Sequence, residues 1–251
     1  MIDISTTVLI LLPLAATVAG FVDTLAGGGG LITVPALLLA GLPPLNALAT
    51  NKVQGSIGTL TASVLLMRKG LLKPAQLKTP LFYCTLAAVL GTVLVQFLPA
   101  VWLSRIVPLV LLIIALYFLL APNAGQIEAR PRLQAHLYQR LVLPIIAFYD
   151  GLIGPGTGSF FCWAGVALRG QTLLTATAHA KAFNFMSNLA SVAVFVLGGK
   201  VLWDIGLCMM LGQMLGAGLA TVVMVKKGSV LIRPMIVAVC FIMLLRLWAN
   251  A

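Results

Sequence analysis

The chain has 251 residues, 61% of them hydrophobic and only 8% charged, with a mean hydropathy of +1.11. Uncharged apolar runs at 79–104, 106–127 and 205–225 each approach the ~20 residues that carry a helix across the hydrocarbon. That excludes a water-soluble globular domain, and the missing short alternating strands exclude a β-barrel. The formal net charge of +11 does not indicate nucleic acid, because Lys and Arg sit mostly in short loops between apolar runs, the pattern of cytoplasmic loops.

In chain order, the sequence predicts an apolar helix at about 4–25, a glycine break at 27–30, a short apolar segment at 31–41, and helices at about 45–67, 79–98 and 102–121. The N-terminus lacks a positive region, carries Asp3 and ends in a motif that recurs later, so it is read as retained rather than as a cleaved signal. A polar, basic stretch at 122–139 divides the chain. The order then repeats: about 140–153, a break at 154–158, a short segment to 168, and helices at about 172–197, 201–225 and 231–249. The expected units are an N-terminal membrane repeat (1–121), a cytoplasmic linker (122–139) and a C-terminal membrane repeat (140–251).

A polar cluster marks both repeats. GFVDTLAGGGG (20–30) is followed by ATNK (49–52), and AFYDGLIGPGTG (147–158) by AHAK (178–181). Asp23 and Asp150 stand 127 residues apart and Lys52 and Lys181 stand 129 apart; Gly70 and Gly199, and Pro108 and Pro234, match at similar offsets. This is a whole-length duplication. Ionisable groups at membrane depth are expensive and face an interior or a wet cavity.

The short segments span only ~15 Å at 1.5 Å per residue, half of the core. Either each broken element crosses once and the halves are parallel, or each is a re-entrant hairpin and three full spans invert the second half. Loop charges favour inversion. That arrangement puts Arg68, Lys69, Lys73, Lys78, Arg130, Arg132, Arg140, Arg169, Lys226, Lys227 and Arg233 inside and leaves Arg105, Lys200 and Arg246 outside. The expected fold is therefore all-α and polytopic: two inverted-topology repeats, each a broken or re-entrant helical hairpin plus three transmembrane helices.

Helix N-termini at glycine breaks present unpaired N–H groups and a partial positive charge to an anion, and facing half-helices build midplane substrate sites. The candidate substrate-binding residues are Gly27, Gly28, Gly29, Gly30, Asn51, Lys52, Gly154, Gly156, Thr157, Lys181 and Asn184. Asp23, Asp150 and His179 are candidates for coupling or gating, with proton or sodium as the coupling ion. Gln54, Ser187, Asn188 and Gln213 are polar positions that complete a cavity or join helices. Gly212-x-x-x-Gly216 reads as close helix packing. The lysines either bind an anion or neutralise the two acids. The four cysteines (84, 162, 208, 240) have no metal or redox spacing, and no metal or other cofactor is expected.

The stretches GFVDTLAGGGGLITVP (20–35), NALATNK (46–52), YDGLIGPG (149–156) and ATAHAK (176–181) resemble the TauE/SafE family of sulfite and organosulfonate permeases, also called the TSUP family, and within it the YfcA-like branch. The resemblance covers essentially the whole chain. It implies a multi-pass transporter of the bacterial inner membrane that moves a small sulfur-containing anion as a secondary carrier by alternating access. The expected partners are that anion and the bilayer, and a homo-oligomer is compatible. Two other readings use the same residues: a cation carrier or cation-coupled carrier built on the two Asp, and an intramembrane aspartyl protease. The protease reading lacks its Gly-x-Gly-Asp signature.

Overall fold

The computed structural model describes residues 6–97, 116, 120, 126–228, 230–232 and 234–238. Most of the expected helix at 102–121 and of that at 231–249 lies outside the described residues. The regular structure described is helical. Before the divide the described residues include α1 (Thr6–Ala26), α2 (Gly30–Leu39), α3 (Pro44–Arg68) and α4 (Pro74–Val95). After it, Ala135–Leu137, a π-helical turn Tyr138–Val142 and Leu143–Leu152 run on continuously and are together called α5. Then come α6 (Thr157–Arg169), α7 (Leu173–Leu197) and α8 (Trp203–Lys227). The expected boundary at 140 is corrected: the helix begins at Ala135, because Tyr138 is buried against the core that Leu77 and Leu143 share. Polar neighbours in sequence hide that anchor.

Burial is inverted relative to a water-soluble bundle. Leu207, Leu211, Leu215 and Leu219 are exposed along one stripe of α8, while Lys52, Lys181, Asp150, Asn51 and Gln54 are buried. Apolar outside and polar inside is the arrangement hydrocarbon demands. Leu77–Val95, Leu173–Leu197 and Trp203–Lys227 are long and apolar enough to cross a membrane. α3 is as long, at 25 residues, but carries Asn51, Lys52, Gln54, Thr59 and Ser63 on its buried side. This is a polytopic helical membrane protein.

Side-chain clusters trace the path of each helix. At one end, Leu12, Leu42, Ala47 and Ile205 pack together, and Asn46 Nδ2 donates to the Lys200 carbonyl over 2.9 Å. At the other end, Leu72, Leu77, Tyr138 and Leu173 join the largest cluster, and Leu133 N donates to Leu168 O over 3.0 Å. The second end is called basic here, because the described Lys and Arg outside the helix interior gather there, apart from Lys200. Thus α1 starts at the opposite end and α2 returns to it. α5 starts at the basic end and α6 returns to it. α3 and α8 run toward the basic end, and α4 and α7 run away from it.

The helix contacts follow the duplication. α1 packs on α8 as α5 packs on α4, α3 packs on α8 as α7 packs on α4, and α3 and α7 lie against each other. Close approach is built in similarly at both outer contacts. A Cβ at Gly216 would lie 2.0 Å from the Thr17 carbonyl oxygen, and one at Gly91 would lie 2.2 Å from that of Phe148. Gly212, against the Pro13 carbonyl, belongs to the same seam, so the Gly212-x-x-x-Gly216 pattern is helix packing.

Candidate functional site

Both breaks lie deep in the bundle and touch. Gly27 closes α1 with φ +73°, a left-handed conformation that glycine adopts without strain. The chain then doubles back, so that a Cβ at Gly29 would lie 2.7 Å from Asp23 Cβ and 2.9 Å from the Ala19 carbonyl oxygen. Gly29 N donates to Asp23 Oδ1 over 3.1 Å, placing a carboxylate at the positive end of α2. In the second break Tyr149 Oη donates to the Pro155 carbonyl over 2.7 Å, and Thr157 Oγ1 to the Gly154 carbonyl over 2.6 Å. A Cβ at Gly27 would lie 2.3 Å from the Gly158 backbone. Ser159 Oγ donates to the Ala26 carbonyl across the same contact.

Around this crossing the charges pair between halves, not within them. Lys52 Nζ is 2.8 Å from Asp150 Oδ1, and Lys181 Nζ is 3.1 Å from Asp23 Oδ2. Each acid of one repeat is held by the base of the other. Asp150 Oδ2 also accepts from Asn184 Nδ2, over 3.0 Å, and from Ser187 Oγ. Lys181 donates in addition to the Asp23 backbone carbonyl. Both lysines are 1% exposed, so pairing is what lets them stay charged away from water.

The first pair opens on a cavity of about 30 Å³ lined by Asp23, Gly27, Gly30, Asn51, Lys52, Gln54, Gly55, Asp150, Gly154, Asn184, Asn188 and Gln213. Asn51 Oδ1 accepts from Thr33 Oγ1 and, over 2.8 Å, from Gln54 Nε2. These two donors fix the amide with Nδ2 beside Gly30. Gln54 Oε1 and Gln213 Oε1 are buried with no partner among the described residues. The cavity therefore presents an ammonium, two carboxylates that are each held by a lysine, amide N–H groups and amide oxygens without a partner among the described residues, in a space worth about two waters.

Of the sequence candidates, Asp23, Gly27, Gly30, Asn51, Lys52, Asp150, Gly154 and Asn184 line this cavity. Gly28, Gly29, Gly156 and Thr157 shape the two turns. Lys181 sits behind the crossing, its Nζ 3.3 Å from where a Gly158 Cβ would stand, and is not in the lining. His179 is not brought to the site either. At ~100° per residue it faces away from Lys181, Asn184 and Asn188 and stacks on Phe183, with ring centroids 6.2 Å apart, in a different cavity. Its repeat partner Thr50 accepts from Leu202 N at the opposite end. Thr33 and Gly55 were missed by sequence reasoning. Thr33 sits within the stretch 20–35 that carries the first motif, but nothing local distinguishes a hydroxyl that orients Asn51 from one that bonds back to its own helix.

A family profile described as "Sulfite exporter TauE/SafE" matches residues 12–247. A "Probable membrane transporter protein" of Haemophilus influenzae is 45% identical over 96% of this chain and 94% of its own length. "Probable membrane transporter protein ORF9" of a Sinorhizobium species is 42% identical over 99% and 95%, and "Probable membrane transporter protein YfcA" of Escherichia coli K12 is 42% identical over 91% and 85%. No solved structure matches. These are names of transporters and not of enzymes, which removes the protease reading. With the profile matched over nearly its whole length and such relatives covering more than nine-tenths of it, the chain belongs to the TauE/SafE family of membrane transporters.

Proposed function

We propose that the protein is a secondary transporter of a small oxyanion, sulfite or an organosulfonate, working by alternating access in the bacterial inner membrane. The observation that carries this reading is the buried Lys52 ammonium, which faces a cavity and, among the described residues, is held by a single carboxylate of the other repeat. An entering oxyanion replaces Asp150 as the partner of Lys52. Asp150 keeps its bonds from Asn184 and Ser187, so its release from Lys52 leaves it hydrogen-bonded. Exchanging partners loosens one of the two clasps between the repeats, which is the step that rocking of one repeat against the other requires. The two acids and two bases cancel, so a monoanion brings one net negative charge. One accompanying proton or sodium ion restores neutrality, and the unpaired amide oxygens of Gln54 and Gln213 suit a donor or cation there.

The helix paths support inverted repeats, with 1–121 and 140–251 as the two units. One broken hairpin leaves by each end, and the basic end is cytoplasmic by the positive-inside rule. The name of the matching family supports sulfite as the first substrate to test. Uptake of radiolabelled sulfite into proteoliposomes, lowered ~100-fold by Lys52→Met, is the expected result; that is an effect of about 3 kcal/mol. Unchanged uptake in a folded Lys52→Met protein sinks the assignment of Lys52.

A further inference from the structure

A second cavity, of about 300 Å³, lies at the basic end between α4, α5, α6 and α7. It has ten times the volume of the central one and falls at the lower end of the range for small-molecule sites, ~300–1,000 Å³. Its polar lining is Tyr138, Gln139, Arg169, Gln171 and His179. Arg169 Nη1 is held by the Leu133 carbonyl, which fixes the guanidinium and leaves its other N–H donors for a ligand. Among the described residues no carboxylate lines the cavity. Asp23 and Asp150 are engaged at the crossing, Glu128 is on an exposed loop, and Asp204 opens α8 at the opposite end. Gln171 Oε1 is buried without a hydrogen-bond partner among the described residues, and a flipped amide turns it into a donor. The His179 ring bonds to the Thr175 backbone one turn back in α7, which orients it at the cavity edge and leaves one ring nitrogen for a ligand. The exposed Lys73, Lys78, Arg132 and Arg140 nearby attract anions toward this end.

The inner wall is apolar: Leu77, Leu143 and Phe183. Phe183 packs on Phe161 with ring centroids 5.5 Å apart. His179, Phe183 and Ser187 follow one another at four-residue spacing along one stripe of α7. Ser187 donates to Asp150, about 6 Å of helix beyond Phe183 at 1.5 Å per residue. The cavity and the central pair are therefore separated by about one turn, with Phe183 between them.

We propose that this cavity is a second anion-binding station, which takes an oxyanion with a small apolar group and holds its head at Arg169 and His179. Its place on the route to the Lys52–Asp150 site rests on the transport reading above; its ability to bind does not. The apolar group lies against Leu77, Leu143 and Phe183. The same head chemistry comes from a free organic anion or from an anionic lipid.

The test is equilibrium binding of ethanesulfonate to the purified full-length protein carrying Lys52→Met, which removes the central ammonium, in nanodiscs of zwitterionic lipid and separately with phosphatidylglycerol added. Saturable binding is expected, weakened at least tenfold by adding His179→Ala or Arg169→Gln. Because Arg169 also ties down the 133 loop, Leu77→Trp serves as a second variant: it fills the cavity without touching that tie and should abolish binding in a folded protein. Competition by phosphatidylglycerol identifies lipid as the resident anion; no competition identifies a free solute. Binding that survives both His179→Ala and Leu77→Trp, or no saturable binding of either probe, overturns the proposal. If sulfite transport fails while this binding persists with the stated dependence, the transport reading fails and the station stands.

Discussion

The two ion pairs at the crossing have the same composition and the same origin in the duplication, yet they differ in what surrounds them. Lys52 and Asp150 face a cavity, and Asp150 keeps two further donors if Lys52 leaves. Lys181 is absent from the lining and binds both the side chain and the backbone carbonyl of Asp23, at the end of α1 where the chain turns back. Asp23 also reaches that cavity, but its lysine does not, so the first pair alone presents both of its charges there. In the proposed transport cycle the first pair is the clasp that opens and the second holds the hairpin tip.

The largest expected effect is on the holding clasp. Lys181→Met leaves Asp23 buried and unpaired and should cost about 3–5 kcal/mol, seen as lost folded yield or a lower Tm. Adding Asp23→Asn should recover much of that loss, since removing both charges is far milder than removing one. If Lys181→Met instead keeps wild-type Tm and loses only transport, the two pairs have the opposite roles. Next comes Gly27→Ala, whose methyl meets the Gly158 backbone at 2.3 Å. It should lower both Tm and transport by an overpacking cost of about 1–3 kcal/mol or more. Asn184→Ala removes one of the two donors that keep Asp150 satisfied without Lys52. A loss of about 1–3 kcal/mol, with transport reduced more than Tm predicts, would sharpen the exchange role; an unaltered transport rate would remove it. The smallest effect is expected at Gly218, where a Cβ meets nothing within 4 Å among the described residues. Gly218→Ala should leave transport intact and raise stability by up to about 1 kcal/mol through helix propensity.

Much of the helical order was legible. α3, α7 and α8 fall within a few residues of the expected helices, because apolar length and flanking Pro or Gly act locally. The helix expected at 79–98 begins earlier, at Pro74, since proline suits a first helical turn and Leu77 is buried in the core. Most of the polar residues that share the central cavity were identified too, since Asn51, Gln54, Asn184, Asn188 and Gln213 stand out in apolar surroundings. His179 is the candidate that the structure sets apart from the central cavity. Its position beside Lys181 in sequence suggested a shared site, but two residues along a helix is more than half a turn, and the ring faces another cavity.

The sequence by itself determined that the chain is a helical membrane protein built twice, and that acids and lysines lie where hydrocarbon forbids them unless they are paired. Composition and repeat spacing carry that information without any contact being known. Which acid pairs with which lysine was decided only by tertiary structure. The partners are 98 and 158 residues apart, and they meet because two glycine breaks let two backbones touch at Gly27 and Gly158. That contact crosses the pairing between repeats and leaves one ammonium facing a cavity and the other sealed.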